Sequence, residues 1–97
     1  NVPKFPEVKR DLSLILSDEI KFSEVMDIIE KSNKKIIKNV SLYDIYSGEN
    51  IGKDKVTYSI RFILQDDRTT LDDKTINNTM DLLISLFEKK LNAIIRK

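Results

Sequence analysis

The chain has no cysteine and no histidine. The first absence removes disulfides, thiolate nucleophiles and cysteine-based zinc sites. The second removes the imidazole base, the imidazole metal ligand and the side chain that titrates near neutrality. Long apolar runs are also missing. Nothing approaches the roughly 18 residues that would span a membrane, and no signal-peptide pattern opens the chain. A cytoplasmic location and no membrane partner are the expectation. Charge of one sign is lacking too: 17 basic residues stand against 16 acidic ones, a net charge of +1. A free-standing nucleic-acid binder usually has a pI above about 9. Any contact with nucleic acid must therefore be local here.

What is present fits one small domain. The 97 residues are 40% hydrophobic and 34% charged, enough for a single modest core under a soluble surface. The sequence starts with Asn1 rather than Met. The expectation is one domain over residues 1–97, cut from a longer chain whose chemistry lies elsewhere.

Periodicity gives the order of elements. After an extended lead-in with Pro3 and Pro6, "RDLSLIL" alternates, with Leu12, Leu14 and Leu16 on one face; that is a strand. Phe22, Val25, Met26 and Ile29 then fall on one helical stripe, with Ser23 as the predicted cap. "IIKNVSLYDIY" is a second strand, and both glycines, Gly48 and Gly52, follow it in a loop. "VTYSIRFILQ" alternates without a miss: Val56, Tyr58, Ile60, Phe62 and Leu64 face one way. Asp72 caps a long helix with Ile76, Met80, Leu83, Ile84, Phe87 and Leu91 on one face. Asn92 to Arg96 reads as a last strand. The order β-α-β-β-α-β predicts an α+β, ferredoxin-like fold: a four-stranded antiparallel sheet with two helices on one face. The other sheet face stays open and should carry Ser13, Thr57, Ser59 and Arg61.

One residue resists this scheme. Asp44 stands in the second strand, where aspartate is disfavoured. Strict alternation puts Tyr43 and Ile45 on one face, Asp44 and Tyr46 on the other. An unpaired buried carboxylate is costly, so the core should take Tyr43 and Ile45 and leave Asp44 and Tyr46 outside. Val40 and Leu42 then fall on the wrong side, which a bulge near Ser41 would repair. An exposed carboxylate beside an aromatic ring suits a splayed-out RNA base. Guanine shows two adjacent donors on its Watson–Crick edge, and a carboxylate can accept both. Adenine would set a ring acceptor against it. The competing reading is a strand-end pair that hydrogen-bonds the loop ending at Gly48.

Four segments, in order, resemble a known family: "KFPEVKRDLSLIL", "VSLYDIYSGENI", "KVTYSIRFILQ" and "TTLDDKTINNTM". Their counterparts there are FPxVxRDLS, LFDVYxG, KSLAxxLxF and RTLTDEEV. The family is the ferredoxin-fold anticodon-binding domain that ends the β subunit of bacterial-type phenylalanyl-tRNA synthetases. The resemblance covers essentially the whole chain. It implies a parent enzyme, an α2β2 phenylalanine-tRNA ligase of class II that uses ATP and Mg²⁺, with catalysis in the α subunit. It implies no catalytic residue, cofactor or metal in this domain, and the tRNA(Phe) anticodon stem-loop as partner. The family's D-x-Y contacts the guanine that begins the anticodon, and it falls on Asp44 and Tyr46. Ser13, Lys55, Thr57, Ser59 and Arg61 are further possible RNA contacts. Where the family has K-S-L-A, this chain has Asp54 to Thr57, so Lys55 replaces a serine; "RTL" is also one residue longer, at Arg68 to Leu71.

Other readings are weaker. An acylphosphatase-type site needs an anion-cradling loop after the first strand, and "SDEIK" is acidic without glycine or arginine. An RNA-recognition motif needs outward aromatics on the third strand, where Tyr58 and Phe62 point to the core. Arg10-Asp11 reads as an internal salt link. Lys31, Lys34, Lys35 and Lys38 read as a solvated helix end. Asp66-Asp67 and Asp72-Asp73 read as a turn and a helix start, not a metal site. A protein-interaction module of the same fold is the remaining alternative; its marker would be an apolar open face or a self-pairing edge strand.

Overall fold

The computed structural model describes residues 5–32, 35–48, 50 and 52–96. Six elements follow in the predicted order: β1 (Val8–Ser17), α1 (Phe22–Glu30), β2 (Ile37–Tyr46), β3 (Lys55–Leu64), α2 (Asp73–Leu91) and β4 (Ile94–Arg96). The strands form one sheet in the order β2-β3-β1-β4, every neighbouring pair antiparallel. This is the ferredoxin-like arrangement. The last strand is shorter than the sequence reading: Asn92 takes a left-handed conformation (φ 53°) that ends α2, and pairing starts only at Ile94. Asparagine tolerates that conformation better than most residues.

Core and alternation agree closely. Leu12, Leu14 and Leu16 of β1 and Val56, Ile60, Phe62 and Leu64 of β3 are buried against Val25, Ile28 and Ile29 of α1 and Ile76, Met80, Leu83 and Phe87 of α2. Each such side chain contributes about 1.5–3 kcal/mol of burial. Met26 packs against the same cluster, half-buried. Tyr58 also turns inward, edge-on to Phe22 at 5.5 Å, and its hydroxyl donates to the Ile20 carbonyl at 3.3 Å. Buried Gln65 ties down the lead-in, its amide donating to the Phe5 carbonyl at 2.6 Å.

The helix starts divide. Asp72 caps α2 as expected, its Oδ1 accepting the Thr75 backbone N–H at 2.8 Å. The Thr75 side chain first, and then this backbone bond, hold the Asp72 carboxyl below its ordinary value. Ser23 does not cap α1. The cap position is Lys21, and Glu24 reaches back to accept the Lys21 backbone N–H at 2.8 Å. A first-turn carboxylate satisfies an end donor and meets the positive end of the helix dipole.

The main correction concerns β2. Its pairing with β3 slips twice, between Ile37 and Asn39 and between Leu42 and Asp44. Each slip adds one residue to β2, Lys38 and Tyr43. The predicted bulge near Ser41 is thus two bulges, one on either side of it. Residues directly opposite across a ladder share a face. Val40 and Leu42 lie opposite Phe62 and Ile60 and so face the helices. The second bulge turns Tyr43 outward, leaving it 52% exposed; it does not fill the core. Ile45, opposite Tyr58, returns to the helix side but lies at the sheet margin, 60% exposed. Two phase reversals keep apolar residues of both parities on one side.

Candidate functional site

The helix-free face can be laid out in rows from the two registers. One row runs Ile94, Ile15, Thr57, Tyr46 across β4, β1, β3 and β2. The next runs Arg96, Ser13, Ser59, Asp44. A third holds Asp11, Arg61 and Ser41, with Tyr43 bulged beside it, and a fourth holds Lys9, Ile63 and Asn39. With strands about 4.8 Å apart, the four-strand rows are about 14 Å wide. An apolar and aromatic row therefore borders a polar one.

Asp44 and Tyr46 both stand on this face, at the margin formed by β2. They are two residues apart, about 7 Å of extended strand. Tyr46 is 43% exposed, and its ring leans over the loop. A methyl group placed on Gly48 would lie 2.8 Å from the Tyr46 hydroxyl oxygen and 3.1 Å from Cζ. The missing side chain at Gly48 is thus what lets the ring lie there. Asn50 approaches the same hydroxyl at 3.5 Å. The strand-end contact weighed from sequence exists for Tyr46, at the outer limit of a hydrogen bond; Asp44 forms no side-chain bond within the described residues.

The other predicted contacts separate. Ser13 and Ser59 meet, hydroxyl to hydroxyl, at 3.2 Å in the middle of the polar row. Thr57 lies between Ile15 and Tyr46, and its hydroxyl is buried with no hydrogen-bond partner among the described residues. Lys55 is exposed at the start of β3, opposite Ser17, where it lines a cleft with Asp18, Gly48 and Gly52. Arg61 is already engaged. Its guanidinium donates twice to Asp11, at 2.9 and 3.1 Å, and lies 5.2 Å from the centre of the Tyr43 ring. Arg61 holds the Asp11 carboxyl below its ordinary value, with the Tyr43 hydroxyl and Lys9 adding to it against some burial. The internal salt link of Asp11 is real, but the arginine is Arg61; Arg10 instead donates to the Lys9 carbonyl.

Tyr43, Ile94 and Arg96 are members of the face that alternation alone did not find. The signal for Tyr43 was the misfit of Val40 and Leu42, which required a phase reversal somewhere between them and Asp44. Away from this face, Lys31 is the C-cap of α1 and Lys38 pairs with Asp67 at 3.2 Å; Lys34 lies outside the described residues. Asp66 accepts the Arg68 backbone N–H at 2.8 Å, a turn as predicted. Among the described residues no three acidic side chains come together to hold a metal, and no helix is long and apolar enough to cross a membrane.

Comparison with known proteins bears on the same segment of chain. The profile of the family described as "Ferredoxin-fold anticodon binding domain" matches residues 3–96. A phenylalanine–tRNA ligase beta subunit of Bacteroides thetaiotaomicron is 44% identical over 95 residues, 98% of this chain and 12% of the relative. One from Porphyromonas gingivalis is 38% identical over 96 residues, 99% of this chain and 12% of the relative. One from Fusobacterium nucleatum is 37% identical over 99 residues, 100% of this chain and again 12% of the relative. The chain thus spans about 12% of the length of these curated relatives.

Proposed function

The chain belongs to the ferredoxin-fold anticodon binding domain family, and on that premise we propose that its open sheet face reads the anticodon of tRNA(Phe). It does so as a single accessory domain, residues 1–97, of a longer phenylalanine–tRNA ligase beta subunit working in the cytoplasm with an alpha subunit. The observation that carries this reading is the pairing of an outward Asp44 with an outward Tyr46 on an edge strand, beside a polar row.

The chemistry follows from the two side chains. Tyr46 offers its ring as a stacking surface for an unstacked base. Asp44 offers two acceptor oxygens to the adjacent donors of guanine. A base lacking those donors leaves the carboxylate unpaired and brings its own acceptor against it, so discrimination comes from the penalty on the wrong base. Ser13 and Ser59 each retain hydrogen-bonding capacity beside Asp44. ATP and Mg²⁺ would serve the parent enzyme's catalysis and enter no step of base reading. Against a protein-interaction reading, polar residues separate Ile15 and Ile94 from Ile63, and the β2 edge is broken by two bulges.

The test is charging of tRNA(Phe) by the intact ligase. Hydrogen bonds to a charged group are worth about 1.5–3 kcal/mol. Replacing the first anticodon guanine by adenine, or Asp44 by alanine, should each lower kcat/KM about 10- to 150-fold. The Asp44→Ala enzyme should no longer distinguish the two bases. An Asp44→Ala enzyme that keeps the full guanine preference would refute base reading by this residue.

A further inference from the structure

Tyr43 stands outside the core, held on the open face by its neighbours there. The bulge between Leu42 and Asp44 turns it to the open face, where half its surface is exposed. The Arg61 guanidinium lies 5.2 Å from the ring centre. Arg61 is in turn oriented by Asp11, which accepts two of its N–H groups at 2.9 and 3.1 Å. The chain Asp11–Arg61–Tyr43 therefore fixes an aromatic ring in place on three neighbouring elements of the face. It also neutralises the arginine, which makes Arg61 a poor phosphate hook and a good support.

We infer that Tyr43 is a second stacking platform, taking the base that adjoins the one read at Asp44. This rests on the proposed reading of the face as an anticodon interface. Tyr43 and Asp44 are consecutive, with Cα atoms about 3.8 Å apart, so a base on one and a base on the other are neighbours along the RNA. The two tyrosines do not clasp a single base. About 10 Å of extended strand separates Tyr43 from Tyr46, whereas a base between two rings needs only about 7–8 Å. They are also anchored apart, Tyr43 toward Arg61 and Tyr46 toward Gly48. A ring with no hydrogen-bonding demand on the base stacks any base. Tyr43 thus adds affinity and fixes the strand's path, while Asp44 supplies the choice of guanine.

The experiment is binding of tRNA(Phe) to the intact ligase carrying Tyr43→Ala, Tyr43→Phe or Asp44→Ala. Each protein is measured with normal tRNA, with adenine for the first anticodon guanine, and with an abasic nucleotide on either side of that guanine. Tyr43→Ala should weaken binding about 5- to 150-fold, the usual worth of base–aromatic stacking, and leave guanine preferred over adenine. Tyr43→Phe should stay within about twofold, since the ring remains. On one side of the guanine, the abasic site should cost the wild-type protein the same factor and cost Tyr43→Ala almost nothing. Equal losses from every abasic site in both proteins, or unchanged affinity of Tyr43→Ala, would overturn the inference. The loss that an abasic site causes in the wild-type protein is read without any altered protein, and no loss on either side of the guanine would likewise overturn the inference. A wild-type protein with no guanine preference, or an Asp44→Ala protein that retains it, would instead break the reading of Asp44.

Discussion

Gly48→Ala should separate stability from recognition. The backbone at Gly48 is not in the left-handed region, so it accepts a side chain; only Gly52, at φ 111°, demands glycine. The new methyl would meet the Tyr46 ring first, at 2.8 Å from the hydroxyl oxygen, 3.1 Å from Cζ and 3.5 Å from Cε2. Ordinary carbon contacts start near 3.5 Å. The tip of the ring must therefore move by about 0.5–1 Å, and as the far end of an exposed side chain it can. Stability should change little, or rise by up to about 1 kcal/mol, because alanine narrows the unfolded ensemble. Affinity for tRNA(Phe) should fall, since the stacking platform has shifted, up to the roughly 5- to 150-fold that a stacked base is worth. Urea denaturation and tRNA binding, both on the intact ligase, give the two readings. Tyr46→Phe removes the closest atom, so it should recover part of the binding lost by Gly48→Ala. An unchanged affinity for Gly48→Ala would show that recognition does not depend on where this ring lies. A loss of more than about 2 kcal/mol in stability would show that the ring cannot yield.

Three other outcomes follow from the same geometry. Thr57→Val removes a buried hydroxyl that has no partner among the described residues, so denaturation should show stability unchanged or raised by about 1 kcal/mol; a clear loss would mean that the hydroxyl is satisfied. Phe87→Ala empties a fully buried site between α2 and the sheet and should cost about 3–5 kcal/mol by the same measurement, a large share of a small domain's stability. Asp11 has a folded-state pKa below its unfolded value, lowered chiefly by Arg61. Its contribution is full above about pH 4 and is lost as pH falls through the lowered value. Asp11→Asn should therefore flatten the acid limb of a pH–stability profile, and added salt should shrink the effect, because the pair is exposed.

Most of the fold was legible because β1, β3 and both helices keep one period from end to end. Residues such as Leu14, Ile60 and Leu83 declare their side without help. The strand that carries the candidate site did not. β2 shifts phase twice, and a bulge leaves no compositional mark at the residue it displaces. The misfit of Val40 and Leu42 showed that a bulge was needed but not where or how many. Asp44 and Tyr46 were placed correctly on the cost of burying a carboxylate. Tyr43, having no charge to exclude it from the core, followed strict alternation inward. Arg61 looked available for RNA because its partner, Asp11, lies 50 positions away in sequence. Only the β1–β3 register brings them together. The cap of α1 was missed for a different reason: a cap made by a side chain three residues ahead does not need a capping residue at the end itself.

The second bulge has a consequence for how such a strand tolerates insertion and deletion. Tyr43 is the residue that the ladder skips, so removing it leaves Leu42 opposite Ile60 and Asp44 opposite Ser59. No downstream residue changes face. Apart from Lys38, which the first bulge leaves unpaired in the same way, a residue elsewhere in β2 cannot be deleted on those terms, since every neighbour beyond it would flip. Lineages could gain or lose the ring at this one position without disturbing the pair beside it, and length variation in this strand should concentrate where the ladder already has a gap.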